Sequence, residues 1–265
     1  MKPYPISVRM SRNPVYIASD VHLGAVPDQV EDAFLEFLDH VAERSGHLII
    51  NGDLFDFWFE YRNGHPAGYE KTLAALSRLT RDGLRIDFLG GNHDWWGGRY
   101  LSEEVGLNLH FKPQRWTLAG RSCWVGHGDG EGPGDTGYKM LSAVLRNPLF
   151  VWSFRQLPVS WGDMIAGRVT STHGKWEGPT ENDHRHSGRL QRWAESLLQA
   201  EPELDLILTG HTHVPLIQEV APGRCYVNSG DWVYHRSYVK LVEGEAPVLH
   251  YWKGSPMDGR EAGVE

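Results

Sequence analysis

Three short apolar runs, at 15–18, 48–50 and 84–89, each stop on a glycine, serine or asparagine beside an aspartate or histidine. Between them lie two stretches of helical periodicity. In the first, Val30, Phe34, Phe37, Leu38 and Val41 recur at helical spacing over 28–45, and Gly46 stops the run. In the second, Leu73, Leu76 and Leu79 share one face over 69–81, and Gly83 closes it. Strand, helix, strand, helix, strand predicts a parallel sheet joined by right-handed crossovers. The polar motifs then fall just past the carboxyl ends of adjacent strands. Open α/β sheets place their ligands on that edge.

The motifs are Asp20-Val21-His22, Gly52-Asp53, Gly91-Asn92-His93-Asp94, Gly126-His127-Gly128 and Gly210-His211-Thr212-His213. The later ones follow further strand-like runs: a hairpin over 116–118 and 122–125, then 204–208. With 224–227 and 238–242 also strand-like, the chain is expected to build a second sheet packed on the first. Between 131 and 186 the organisation changes. Gly132-Pro133-Gly134 breaks the chain, and the segments 138–146 and 149–157 are rich in Trp, Phe and Leu. A further helix is predicted over 161–170, a polar loop over 171–186 and a helix over 187–200. The whole reads as one domain over 1–265, carrying a helical lid inserted at 131–186.

Oxygen and imidazole donors without thiolate suit Mn²⁺, Fe²⁺, Zn²⁺ or Mg²⁺, and they exclude a structural zinc ribbon. Asp-x-His at a strand end is expected to aim both side chains one way, because alternate strand residues share a face. Gly52 beside Asp53 lets the backbone approach closely, as a bridging carboxylate needs. Asn92 adds a neutral oxygen, and His211 and His213 can reach two different ions. Two divalent ions bring more charge than Asp20 and Asp53 cancel, so the site attracts an anionic phosphoryl group. It does so although the chain is acidic overall, at net charge -8. That acidity argues against nucleic acid as a partner.

Cys123 and Cys225 are the two cysteines and both fall in strand-like runs, which predicts buried thiols and a reducing cytosol. The opening residues show no apolar core of a signal peptide, and no run is long enough to span a bilayer.

The motif series resembles the calcineurin-like metallophosphoesterase superfamily, whose pattern is D-x-H, G-D, G-N-H-D/E, H and G-H-x-H. The resemblance implies an α/β sandwich: two packed mixed β-sheets flanked by helices. It implies that Asp20, His22, Asp53 and His213 hold one metal, and that Asp53, Asn92, His127 and His211 hold the other. It places His93 over the phosphoryl group as transition-state stabiliser or general acid, with Asp94 orienting it.

More narrowly, 52–58 (GDLFDFW) and His127-Gly128-Asp129 are similar to the UDP-2,3-diacylglucosamine pyrophosphatases of lipid A biosynthesis. That family places substrate contacts at the positions of Asp135, Tyr138, Arg168 and Ser171. It implies two divalent cations, Mn²⁺ foremost, an acylated nucleotide-sugar substrate, and work at the cytoplasmic face of the inner membrane as a peripheral protein. One position departs: best-known members have G-N-R-D, where this chain has His93. The alternatives are a diesterase or phosphatase of a soluble nucleotide, and a catalytically silent metal-binding scaffold.

Overall fold

The computed structural model describes residues 13–134, 136–159, 161 and 178–257, and the backbone of 261–262. Two sheets lie face to face. The first has seven strands in the order β12-β11-β10-β1-β2-β3-β4. Its strands β1 (Val15–Ala18), β2 (His47–Asn51), β3 (Arg85–Leu89) and β4 (Asn108–His110) run parallel. β10 (Ser237–Leu241), β11 (Val248–Tyr251) and β12 (Glu261–Ala262) extend it antiparallel. The second sheet has the order β5-β6-β7-β9-β8. Its strands are β5 (Gln114–Leu118), β6 (Arg121–Val125), β7 (Leu206–Thr209), β8 (Leu216–Ala221) and β9 (Arg224–Asn228). Within it β6, β7 and β9 are parallel, and β5 and β8 pair antiparallel. The expected mixed α/β sandwich is the observed one.

β1 is buried on both faces, which is why it reads as an unbroken apolar run. Tyr16 and Ala18 face helices α1 (Asp28–Arg44) and α2 (Glu70–Arg81), with Phe34, Phe37 and Leu76 in the same core. Val15 and Ile17 face the second sheet, beside Val125, Leu208 and Val227. The outer face of the second sheet is covered by α5 (Glu181–Ala200) through Leu190, Ala194 and Leu198. Cys123 and Cys225 are buried free thiols, and burial pushes them up to about 12 and about 11.

Helix α5 starts six residues before the predicted 187. Thr180 accepts from the Asp183 backbone N–H while the Asp183 carboxylate accepts from Thr180 N, a capping box that nucleates the extra turns. The sequence reading also passed over β4, β8, β11 and a π-helical turn at Tyr100–Glu104. The helix predicted over 161–170 lies outside the described residues apart from Trp161.

Helices α3 (Thr136–Leu145) and α4 (Pro148–Phe154) contain no buried residue. Among the described residues, the exposed large apolar side chains are Met140, Leu141, Val144, Leu149, Trp152 and Trp161, all in this segment. No described helix is long and apolar enough to cross a membrane.

Candidate metal centre

Five loops meet where the carboxyl ends of β1, β2, β3, β6 and β7 converge, three from one sheet and two from the other. They bring together Asp20, His22, Asp53, Asn92, His93, His127, His211 and His213. The backbone there is unusual. Among the described residues, seven non-glycine residues have a left-handed φ, and five of them are Asp20 (55°), His22 (51°), Asp53 (53°), His211 (68°) and His213 (57°). Each such conformation costs on the order of 1–3 kcal/mol and persists only where the surroundings impose it. This corrects the expected reason for the i, i+2 convergence. Asp20 and His22 lie beyond β1, so it is left-handed backbone rather than strand alternation that turns both inward.

The loops are braced by backbone hydrogen bonds. Asp20 N donates to Gly52 O (3.0 Å) and Val21 N to Asp53 O (2.8 Å). Glycine is required where they touch. At Gly91 a Cβ would overlap the Asp53 carboxylate and stand 2.6 Å from Asp53 N. At Gly52, with φ 87°, a Cβ would overlap the His127 ring.

Two ligand groups emerge. In one, His213 Nε2 lies 3.3 Å from Asp20 Oδ1 and 3.2 Å from His22 Nε2. In the other, His127 Nε2 lies 3.2 Å from Asp53 Oδ2 and 3.3 Å from Asn92 Oδ1, while His211 Nδ1 is 2.9 Å from that Asn92 oxygen. Asp53 also reaches towards the first group, at 3.8 Å from His22 Nε2. The donor atoms within each trio Asp20/His22/His213 and Asp53/His127/His211 lie within 4.8 Å of one another.

The donor chemistry fits divalent cations. His127 Nδ1–H donates to Asn51 O (2.8 Å), which turns its Nε2 towards the Asp53 and Asn92 oxygens. An imidazole nitrogen, a carboxylate oxygen and an amide oxygen gathered this closely form a donor set that suits a divalent cation. The electrostatics agree: burial alone would lower His127, yet Asp53 and Asp20 hold it well above the usual histidine range. Burial pushes Asp20 up to about 7, against the pull of His127 and with the push of Asp53. Burial raises Asp53 too, but His127, His93 and His22 outweigh that and hold it well below the usual carboxylate range.

His93 sits beside both groups, its ring 4.7 Å from that of His22. Its Nδ1–H donates to Asp56 O (2.7 Å), and Asp56 Oδ1 lies 3.7 Å away. The expectation that Asp94 orients His93 is corrected here. The buried Asp94 carboxylate instead accepts four backbone N–H groups, from Gly91, Asp53, Leu54 and Phe55, and so rivets the β2 and β3 loops together. A carboxylate that short cannot serve both the backbone and the ring. Asp56 is the residue that the motif reading missed. Its Oδ1 also lies 3.4 Å from His22 Nδ1, and its only sequence signal is its place in the GDLFD string.

Asn228 and Ser229, equally readable as a plain turn, brace the site from behind. Asn228 Nδ2 donates to Gly210 O (2.7 Å), and Ser229 Oγ meets Ser19 Oγ (2.7 Å). Tyr138 reaches the rim with its ring 6.3 Å from that of His211. Its hydroxyl donates to Asp129 Oδ2 (2.6 Å), and burial together with Asp129 pushes the phenol far up, so it remains a donor. His186 lines a shallow open pocket with Arg189 and His211. Asp135, Arg168 and Ser171 lie outside the described residues.

The calcineurin-like phosphoesterase family model matches residues 13–215, a span that holds every one of these candidate ligands. The chain belongs to that family and is a metal-dependent phosphohydrolase. It is similar to the UDP-2,3-diacylglucosamine hydrolase of Porphyromonas gingivalis, at 29% identity over 90% of this chain and 97% of the relative. The enzyme of that name from Ectopseudomonas mendocina is 30% identical over 87% of this chain and 95% of its own. Among solved structures, a dimetal phosphatase from Danio rerio aligns with 96% of this chain and 98% of its own, at TM-score 0.45 and 10% identity.

Proposed function

We propose that this protein cleaves the diphosphate of UDP-2,3-diacylglucosamine, releasing 2,3-diacylglucosamine 1-phosphate and UMP. The observation that carries the reading is the concentration of exposed apolar side chains on α3, which reaches the rim of the candidate metal centre through Tyr138, and on α4, which follows it. An enzyme for a small soluble phosphoester gains nothing from Leu149 and Trp152 in water; one that draws diacylated sugars from a lipid surface does. The relatives' printed names and their near full-length coverage support the same substrate. We read 131–186 as the lid, and the cytoplasmic face of the inner membrane as the place of work.

In this reading Asp20, His22, Asp53 and His213 hold one divalent cation, and Asp53, Asn92, His127 and His211 the other, with Mn²⁺ the metal we favour. Bound cations supply Lewis acidity for the phosphoryl oxygens and lower the pKa of water. The chain's own residues do the rest. Asp94 keeps the two ligand loops in register. Asp56 holds the Nδ1 edge of His93 through its backbone carbonyl, so that the other nitrogen faces the cleft, and sets its carboxylate 3.4 Å from Nδ1 of His22. His93, held by its Nδ1 contact with Asp56 O, donates a proton to the phosphoryl oxygens or the departing phosphate. The water oxygen forms the new P–O bond and loses a proton to solvent, the bridging P–O bond breaks, and the departing phosphate keeps the electron pair and takes up the proton from His93.

The test is product analysis by mass spectrometry after incubating the purified protein with Mn²⁺ and UDP-2,3-diacylglucosamine. UMP and the lipid monophosphate are expected. Hydrolysis of bis-p-nitrophenyl phosphate without any turnover of the acylated nucleotide would overturn the substrate and leave a soluble diester as the better reading.

A further inference from the structure

Helices α3 and α4 are attached to the body in different ways. α4 has an aromatic anchor: the Phe154 ring packs edge-on against Phe59 at 4.8 Å, and Arg155 O accepts from Arg62 N. α3 buries no residue and is tied down by polar contacts. Two of these end on one atom. Tyr138 Oη donates to Asp129 Oδ2 at 2.6 Å, and Arg146 donates to the same oxygen at 2.7 Å. The Asp129 side chain is 7% exposed and that of Arg146 26%. The Arg146 guanidinium also lies over the Trp95 ring, 5.2 Å from its centroid, and Trp96 Nε1 donates to Leu145 O (3.1 Å). Thus the two ends of α3 meet one carboxylate, which follows His127 by two residues, and its C-terminal end also rests on the tryptophans that follow Asp94.

We propose that Asp129 is the latch of the lid: a single buried carboxylate oxygen that seats α3 through Tyr138 and Arg146 and so shapes the acyl-binding rim. It is a positioning residue, and its use for substrate rests on the reading of α3 as part of the lid. The physical reason is the lack of an apolar alternative. With no buried side chain on α3, little hydrophobic burial holds it when the carboxylate is removed, whereas charge-assisted hydrogen bonds in a shielded site are strong and directional. Tyr138 is held by the same oxygen, so its ring stands beside His211 only while the latch is closed.

The test uses the metal-loaded full chain with Asp129→Asn, Arg146→Met and the double variant. Hydrogen exchange of the amides in 138–146 is expected to speed up about tenfold in Arg146→Met and further in Asp129→Asn, which also weakens the hold on Tyr138, and no further in the double than in Asp129→Asn, because the Arg146 contact is already lost there. KM for UDP-2,3-diacylglucosamine is expected to rise about tenfold in Arg146→Met, while kcat on bis-p-nitrophenyl phosphate stays within about twofold. Arg146→Lys should recover part of the loss, since it restores the charge without the planar fork. Unchanged exchange, or additive effects in the double variant, would overturn the latch. Loss of metal from Arg146→Met would overturn it too, by showing that the contact supports the ligands themselves. Altered exchange in a protein inert towards the acylated nucleotide would leave the latch standing and remove the proposed substrate. Should Asp129→Asn fail to fold, Arg146→Met and Arg146→Lys carry the test.

Discussion

The loops of the candidate metal centre and the helices α3 and α4 are built on opposite principles. The loops hold five left-handed non-glycine residues, each disfavoured on its own, and keep them by cross-bracing: Asp94 on four backbone N–H groups, Asn228 on Gly210, Ser229 on Ser19. The helices α3 and α4 adopt relaxed geometry but leave Met140, Leu149 and Trp152 in solvent. One region spends stability on a fixed constellation of donors, and the other leaves apolar surface open to something outside the chain. Strain belongs where atoms must meet within tenths of an ångström, and exposed apolar area where a partner of variable shape is to be covered.

The sharpest way to break this contrast is to remove the carboxylate shared by both ligand groups. Asp53→Asn is expected to lower kcat/KM for bis-p-nitrophenyl phosphate by about 10³-fold or more and to reduce the bound metal. Retained activity with full metal content would show that the constellation is not the centre of the chemistry.

Next comes the core against the lid. Phe37→Ala, at a fully buried site of α1, should cost about 3–5 kcal/mol in urea unfolding. Trp152→Ser should change stability by no more than about 0.5 kcal/mol, yet raise KM for the acylated substrate. A large stability loss from Trp152→Ser would mean that the helix packs on the body after all. Asp56→Asn, which disturbs the Nδ1 side of His22 and His93, should reduce metal affinity or turnover by about 10–100-fold.

The smallest effect concerns a second polar cluster, on the parallel strands β2, β3 and β4. Asp87 is buried, and burial raises its carboxyl, but hydrogen bonds from His47 (2.7 Å), His110 (2.8 Å) and Arg85 (2.7 Å) outweigh that and hold it below the usual carboxylate range. A lowered folded pKa stabilises the fold above the unfolded value of about 3.9, and that contribution is lost as pH falls through the folded value. Asp87→Asn should therefore be less stable than the parent at pH 7, with the gap narrowing as urea unfolding is repeated towards pH 3. A gap that does not depend on pH would assign the loss to packing alone.

The alternation of strands and helices, the ends of β1, β2 and β3, and the ligand types were legible in the chain because each depends on neighbours within a few residues. Side-chain periodicity and glycine stops are local. Helix α5 shows the limit of that legibility: its start was lost in a polar stretch, although Thr180 and Asp183 form a capping box that could have been read.

Which donor meets which was decided by tertiary structure. His211 and His213 are two residues apart, yet one joins Asn92 and the other joins Asp20 and His22, across more than a hundred positions of chain. That split requires left-handed backbone imposed by two sheets packed face to face. The same holds for Asp94, read as a partner of its neighbour His93 but used as a backbone rivet, and for Asp87, His47 and His110, which carry no motif and meet because adjacent parallel strands place them side by side. Sequence spacing determines what can be a ligand; only the packing of the sheets determines the distances, because no local rule acts over the separations that close the site.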